Sequence, residues 1–260
     1  MRARREVVAR LQARVDAERA RLAAAGGGGR RRAAGGMLAA MVAARDPETG
    51  QGLTDQQLTD NLLGLLVAGH DTTASTLSVV MFYLDQHPEA LAALREEQAA
   101  VVAAHGPALT PAAMDAMVWA TAVVREAWRL RPVVPISGRQ ALKDVRVGEY
   151  VLPAGQPAWV ALAHIQRNDP RWRDAAGNYD AAAFNPARWL TPEGQPQGAQ
   201  LVFGAGKRGC IGAALATAEL RTFLAVLARS YAFELDKASL SWAEAPFPVA
   251  RADCASFSTL

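Results

Sequence analysis

The segment from Phe203 to Gly212 has the residue types and spacing of a site that holds a metal through sulfur. Cys210 stands between glycines just before a predicted helix, and Lys207 and Arg208 precede it. Backbone N–H groups and the positive end of a helix dipole at that place favour the thiolate, and the two cations act in the same direction. A thiolate is a good ligand for a soft metal, and glycines let the backbone fold closely around a planar ligand. The pattern predicts Cys210 as a metal ligand, against the alternative of a structural cysteine after a glycine turn.

Three glycines of the same segment also match the spacing of a dinucleotide-binding loop, namely Gly204, Gly206 and Gly209. An apolar stretch precedes them and a predicted helix follows. The acidic residue Asp236 then imitates the carboxylate that binds a ribose. A mononucleotide fold needs further strands after that acid, whereas only 24 residues follow Asp236. This competing interpretation is therefore the weaker one.

A polar group interrupts an otherwise apolar helical stretch between Ala68 and Thr73. Aspartate and threonine are poor residues for a helix interior, because their side chains compete for backbone hydrogen bonds, and with Gly69 they could open a polar notch. Asp71 next to Thr72 places an acid beside a hydroxyl group, which is what a proton-delivery step uses. The alternative is that the polar residues cap a break between two shorter helices.

Glu126 and Arg129 lie three residues apart on a predicted helix, so both side chains project from one face. Such a pair is either an exposed ion pair or half of a buried network. Arg188, in the segment Phe184 to Trp189, could complete a buried cluster of one glutamate and two arginines.

The elements that must position these residues are mainly helices with a small β-sheet. Capping signals, prolines and apolar periodicity predict helices, and Val- and Ile-rich segments between Gly and Pro predict strands. The predicted helices cover residues 3–25, 37–45, 54–86, 88–104, 111–117, 118–131 and 211–229. The predicted strands cover 146–147, 149–152 and 158–161, with further short strands after residue 231, and 168–200 is predicted to be irregular.

The charge of the chain is unevenly distributed, although the net charge is only +3. Residues 1–45 contain eleven arginines or lysines and three acidic residues, which predicts an Arg/Ala-rich helix with a Gly/Arg linker and a separate domain over 46–260. No aromatic residue occurs in the first 80 positions to stack on bases, so nucleic acid is not an expected partner. The segment Leu62–Leu84 carries His70 and Asp71 in its middle, which argues against a membrane span.

In this order the motifs resemble those of the cytochrome P-450 superfamily of haem-thiolate monooxygenases. Residues 203–212 match the signature Phe-x-x-Gly-x-Arg-x-Cys-x-Gly at every position. Residues 68–73 are similar to the oxygen-activating helix of the family. The Glu126–Arg129 pair matches its Glu-x-x-Arg motif, and residues 184–189 match its Pro-x-Arg-aromatic segment. The resemblance covers about residues 46–260 and implies the C-terminal, haem-binding portion of that fold.

The resemblance implies a role for each matching residue. It identifies Cys210 as the axial haem ligand and Asp71 and Thr72 as the catalytic pair that delivers protons. It implies three further groups: haem-binding residues (Arg139, Phe203, Gly204, Arg208, Gly212), a structural network (Glu126, Arg129, Arg188) and a substrate pocket (Ala68, Val133, Val134, Ile136).

The implied activity is the insertion of one oxygen atom from dioxygen into a lipophilic small molecule. The electrons would come indirectly from NAD(P)H through a flavoprotein reductase or a ferredoxin, and the basic surface near Lys207 would suit an acidic donor. Residues 138–144 and 152–155 resemble, more weakly, the clan of retinoid and plant-sterol hydroxylases. A full-length eukaryotic relative would be associated with the endoplasmic reticulum or plastid membrane, and a bacterial one would be cytoplasmic.

One feature departs from the family pattern, because the oxygen-activating helix begins near residue 60 instead of past the middle of the chain. The sequence is therefore expected to lack the N-terminal half of the fold, including any membrane anchor. The alternative to an enzyme is a truncated, non-catalytic remnant or interaction module that does not hold haem alone.

Overall fold

Helices dominate the computed structural model, which confirms the predicted fold class of mainly α with a small β component. The structure describes residues 2–24, 36–173, 176, 178, 180–196, 198, 200–239, 241–243, 249–251 and 255–260. Most of the predicted Gly/Arg linker and Cys254 lie outside these residues. The helices are α1 (Arg2–Ala24), α2 (Gly36–Ala43), α3 (Asp55–Gln86), α4 (Pro88–His105), α5 (Pro111–Asp115), α6 (Val118–Leu130), α7 (Leu162–Asn168) and α8 (Ala213–Ser230).

The strands form four separate two-stranded antiparallel ladders within the described residues, instead of one sheet. They are β1 (Ser137–Gln140) with β4 (Pro157–Val160), β2 (Val145–Val147) with β3 (Tyr150–Leu152), β5 (Tyr231–Leu235) with β8 (Ala255–Thr259), and β6 (Ser241–Ala243) with β7 (Val249–Arg251). Two short 3₁₀ turns, Pro186–Leu190 and Gly206–Arg208, lie in the region between α7 and α8. Strand β1 and helix α7 are absent from the sequence prediction, and the other described elements match it within a few residues.

The chain divides into two compact units, residues 1–70 and 71–260, so the division falls inside α3. The domain boundary that the sequence predicts at residue 46 stays a prediction. In the first unit Val15, Ala39 and Leu58 are buried. There Arg19 of α1 forms a 2.5 Å ion pair with Asp55 of α3.

Helix α3 begins as its sequence predicts, with a reciprocal pair of hydrogen bonds. The N–H of Gln57 donates to Oγ1 of Thr54 over 3.2 Å, and the N–H of Thr54 donates to Oε1 of Gln57 over 2.9 Å. This capping box satisfies two backbone donors that the first turn of a helix leaves unpaired. The helix then continues without a break to Gln86, so the alternative of two shorter helices is wrong.

Helix α6 lies at the centre of the second unit and is buried along most of its length. It contacts α4, α7, α8 and the turn 186–190. The carboxylate of Glu97 on α4 accepts hydrogen bonds from the N–H groups of Trp119 and Ala120, in the first turn of α6. Burial nevertheless raises the pKa of Glu97 above its ordinary value. Among the helices that the structure describes, none has the length and apolar character that crossing a membrane demands.

Candidate functional site

A fully buried ion cluster joins α6 to the turn 186–190. Arg129 donates from Nε and Nη2 to the two carboxylate oxygens of Glu126 over 2.9 and 2.8 Å, and Arg188 Nε donates to Oε1 of the same group over 2.9 Å. All three side chains are 0% exposed. The indole N–H of Trp189 and the backbone N–H of Asn185 donate to the same carboxylate over 2.9 and 3.0 Å. The structure therefore brings together the three residues that the sequence predicts as a network.

Backbone carbonyl groups accept hydrogen bonds from the remaining guanidinium nitrogens of this cluster. Arg129 donates over 2.7, 3.3 and 3.0 Å to the carbonyl oxygens of Ala181, Gln166 and Ala183. Arg188 donates over 2.6 Å to the carbonyl oxygen of Asp180 and also to that of Arg173. A buried charge is tolerated only when its hydrogen bonds are satisfied. The cluster meets that condition and links α6 to Arg173 and to residues 180–188.

Gln166 connects α6 to the cysteine segment. This role of Gln166 is not predicted from the sequence. Its side chain is 0% exposed. Its Nε2 donates to the carbonyl oxygen of Trp128 over 3.0 Å, and its Oε1 accepts the N–H of Leu201 over 3.1 Å. No local signal separates this glutamine from an exposed one, because both of its partners are more than thirty residues away in sequence.

The cysteine segment is a compact loop closed by backbone hydrogen bonds. The N–H of Cys210 donates to the carbonyl oxygen of Phe203 over 2.8 Å, and the N–H of Gly204 donates to that of Leu201 over 2.8 Å. Gly204 and Gly206 have φ values of +70° and +69°, in the left-handed region that favours glycine. The sulfur of Cys210 is exposed, and α8 begins three residues later. The loop thus presents one unblocked thiol at the start of a helix.

We expect Gly204→Ala to lower the free energy of unfolding by about 1–2 kcal/mol, because a Cβ is strained at this φ. Urea unfolding measures the change. Gly64→Ala is the matched control, because Gly64 lies inside α3 with no atom within 4 Å of the added carbon. The control should gain about 0.5–1 kcal/mol. Equal changes in the free energy of unfolding for Gly204→Ala and Gly64→Ala would contradict the expected backbone strain at position 204.

A cavity of about 510 Å³ lies in the second unit, against the cysteine loop. Its volume falls within the range of small-molecule and cofactor sites. Apolar side chains make up much of its wall, and Cys210 and two arginines also belong to it. It is lined by Thr72, Thr73, Thr76, Trp128, Val133, Val134, Ser137, Gly138, Arg139, Gln140, Leu162, Val202, Phe203, Gly204, Arg208, Cys210, Ala216 and Leu220.

Trp128 connects two walls of this cavity. This role of Trp128, like that of Gln166, is not predicted from the sequence. Its indole N–H donates to Oγ1 of Thr76 over 3.1 Å, and the hydroxyl group of Thr76 donates to the carbonyl oxygen of Thr72 over 3.0 Å. Its ring packs edge-on against Phe203, with 4.8 Å between the ring centroids. Trp128 thus fixes the turn of α3 that carries Thr72 and also supports the cysteine loop.

The predicted substrate residues do not all lie in this cavity. Val133 and Val134 line it, whereas Ile136 is 52% exposed and lies outside the described lining. Ala68 belongs to the first compact unit. Asp71 and Gly212, which the sequence also predicts as site residues, lie outside the described lining.

The residues of the cavity fit haem. The lining combines one exposed sulfur donor, which suits a soft metal, with apolar walls for a planar macrocycle. Arg139 and Arg208 add two exposed cations that can pair with carboxylates. Nη1 of Arg139 is held over 2.7 Å by both Oγ of Ser137 and the carbonyl oxygen of Gly138.

The sequence model of one family, described as Cytochrome P450, matches residues 2–246. The chain belongs to the cytochrome P450 family. Membership implies haem as the cofactor, in agreement with the donor set of the cavity.

Curated relatives of this P450 chain are similar over most of its length. A self-sufficient cytochrome P450 monooxygenase of Oidiodendron maius is 34% identical over 200 residues, which are 76% of this chain and 18% of the relative. The mitochondrial 25-hydroxyvitamin D-1 alpha hydroxylase of Rattus norvegicus is 40% identical over 172 residues, 65% of this chain and 33% of the relative. A bifunctional cytochrome P450/NADPH–P450 reductase of Gibberella moniliformis is 34% identical over 201 residues, 76% of this chain and 17% of the relative. The chain thus spans between about a sixth and a third of the length of these relatives.

Proposed function

We propose that this P450 chain carries the haem-binding and oxygen-activating part of a monooxygenase, which inserts one oxygen atom from dioxygen into a lipophilic small molecule. One observation carries the proposal: Cys210 lines an apolar-walled cavity together with Arg139, Arg208 and Thr72. Haem ligated by a thiolate supplies the redox chemistry that cleaves dioxygen. The protein contributes the ligand, the shape of the site and the movement of protons.

Each residue at the cavity has a distinct part in this proposal. Cys210 would supply the thiolate that holds the haem iron, and the hydrogen bond from its N–H to the carbonyl oxygen of Phe203 fixes the loop that carries it. Arg139 and Arg208 bind the carboxylates of the cofactor, because a guanidinium group pairs well with a carboxylate. Gly204 and Gly212 allow the backbone to approach closely, since neither carries a side chain.

Thr72 is proposed to hold a proton at its hydroxyl group inside the cavity, and Asp71 to resupply it. A carboxyl group beside a hydroxyl group can act as a general acid pair. The backbone of Thr72 is held by the hydroxyl group of Thr76, which in turn accepts the indole N–H of Trp128. These bonds support a fixed position for the Thr72 turn.

The proposed substrate is lipophilic, because Val133 and Val134 contribute apolar surface to the cavity. Ala68 and Ile136 remain candidate substrate contacts on the basis of the sequence resemblance alone. A sterol, a retinoid or another terpenoid is the proposed substrate class. The printed name of the rat relative supports it, since that protein is a 25-hydroxyvitamin D hydroxylase.

The proposed electron source is NAD(P)H, through a flavoprotein reductase or a ferredoxin. Some relatives carry an NADPH–P450 reductase in the same chain, as the name of the Gibberella moniliformis protein states. Lys207 and Arg208 are exposed on the cysteine loop and suit an acidic donor.

A second candidate is a remnant that does not hold haem alone. The match covers 33% of the rat relative, and under this candidate haem binding needs segments that the match leaves out.

Haem titration separates the two candidates. We expect the purified chain to take up one equivalent of haem. The growth of the Soret absorption band measures this uptake. Arg208→Gln should weaken the affinity about tenfold, because it removes one charge-assisted hydrogen bond to a carboxylate. Arg146→Gln, on the exposed strand β2, is the charge-matched control and should leave the affinity unchanged. Absence of saturable uptake would favour the remnant, and equal affinities of the two variants would contradict the role of Arg208.

A further inference from the structure

A second, smaller cavity of about 150 Å³ lies in the same unit. It shares Trp128 and Phe203 with the larger cavity, but it contains neither Cys210 nor Arg139. A volume of this size holds a small ion together with several waters. Its described lining consists of Thr121, Val124, Arg125, Trp128, Gln200, Phe203, Thr217 and Arg221.

The spacing of these residues explains why they meet. Thr121, Arg125 and Trp128 lie at helical intervals of four and three residues on one face of α6. Thr217 and Arg221 lie four residues apart on one face of α8, which packs against α6. Two positive side chains from two helices therefore border one enclosed space.

Arg221 keeps unused donors at this cavity. Its Nε donates to Oγ1 of Thr121 over 2.8 Å. Its Nη1 lies 3.9 Å from Oδ1 of Asp115, whose side chain is 84% exposed and therefore compensates the charge weakly. A guanidinium group has five N–H donors, and within the described residues one of those on Arg221 forms a hydrogen bond. The carboxylate of Glu97 also attracts Arg221, without a hydrogen bond between them among the described contacts.

Arg125 is also incompletely paired. Its Nη1 donates to Oε1 of Gln195 over 3.4 Å, which is a long hydrogen bond. Its guanidinium carbon lies 5.8 Å from the ring centroid of Trp189. Neither contact neutralises the charge, because Gln195 and Trp189 are uncharged.

Gln200 provides a second, independent observation that points to a ligand in this cavity. Its Nε2 is buried and has no hydrogen-bond partner in the part of the chain that the structure describes. A buried donor without an acceptor is costly. The next residue, Leu201, is held by Gln166, so the backbone beside Gln200 is anchored. No aspartate or glutamate belongs to the described lining, so the cavity has two positive charges and an unpaired amide donor but no negative charge.

We propose that this cavity binds a small oxyanion, with inorganic phosphate as its probe. Arg125 and Arg221 supply charge-assisted hydrogen bonds to the oxygens, and Nε2 of Gln200 donates to a further oxygen. The inference is independent of the proposed function, because its lining excludes the sulfur ligand and its test needs no haem.

Isothermal titration calorimetry of the full chain with inorganic phosphate, in chloride buffer of constant ionic strength, tests the site. We expect one saturable site per chain. Arg125→Gln and Arg221→Gln should each weaken the affinity at least about tenfold, since each removes a charged donor from the oxyanion. Arg146→Gln removes the same charge from the exposed strand β2 and should bind phosphate as the unaltered chain does.

Two outcomes would overturn the proposal: no saturable heat with the unaltered chain, or an equal loss of affinity in Arg146→Gln and Arg125→Gln. The second result would mean that phosphate responds only to overall surface charge. Arg221→Gln could fail to fold, because the hydrogen bond to Thr121 is lost. In that case the phosphate affinities of Arg125→Gln and Gln200→Leu test the site. Unaltered affinity in both of these would equally exclude the site.

Discussion

Arg129→Ala is expected to lower the free energy of unfolding by about 3–5 kcal/mol, as removal of one partner from a buried ion cluster does. The substitution breaks two hydrogen bonds to Glu126. It leaves the carbonyl groups of Ala181, Ala183 and Gln166 without their guanidinium donors. It also empties the volume of a side chain that is fully buried. The cost is large because no water reaches the orphaned groups.

Urea unfolding followed by far-ultraviolet circular dichroism measures this change. Arg146→Ala is the matched control, since Arg146 is exposed on β2 and should change the stability by less than about 0.5 kcal/mol. Arg129→Lys keeps the charge but loses the planar fork, so its loss should fall between those of the two alanine variants. A loss for Arg129→Ala as small as that of the control would show that the cluster does not hold residues 180–188 against α6.

Sequence-local signals predict part of the architecture. The capping box of Thr54 and Gln57 sets the start of α3, because both hydrogen bonds form within four residues. The glycines of the cysteine loop predict its tight fold, and two of them have positive φ values. The pairing of Glu126 with Arg129 follows from helical spacing. Each of these features depends on residues that are close in sequence.

Long-range contacts explain what the sequence does not predict. Gln166 and Trp128 look like ordinary helix residues, but their partners lie 35 and 52 residues away. Strand β1, Ser137–Gln140, has no β-branched residue, and it is a strand because it pairs with β4. Tertiary packing decides these cases over local preference. The polar residues around Asp71 suggested a break, whereas α3 continues through them.

Cys210→Ser is expected to abolish the strongly red-shifted Soret band that a thiolate-ligated haem gives when it is reduced and bound to carbon monoxide. Serine has nearly the same shape as cysteine, so the hydrogen bond from residue 210 to the Phe203 carbonyl should persist. Its hydroxyl group stays protonated at neutral pH and is a hard donor, whereas the family's ligand is a soft thiolate. The loss of the band should therefore be complete, with secondary structure unchanged.

The other cysteine of the chain provides the matched control for this experiment. Cys254→Ser removes a thiol of the same kind from the only other cysteine in the sequence, so the shifted band should persist in that variant. Visible spectra of both variants and of the unaltered chain, recorded after haem supplementation, separate three results. A band lost only in Cys210→Ser supports sulfur ligation at the cavity. A band lost only in Cys254→Ser would move the ligand elsewhere. An unshifted band in the unaltered chain would leave the family membership intact and favour the remnant, because the proximal loop alone would then be unable to hold its thiolate on the iron.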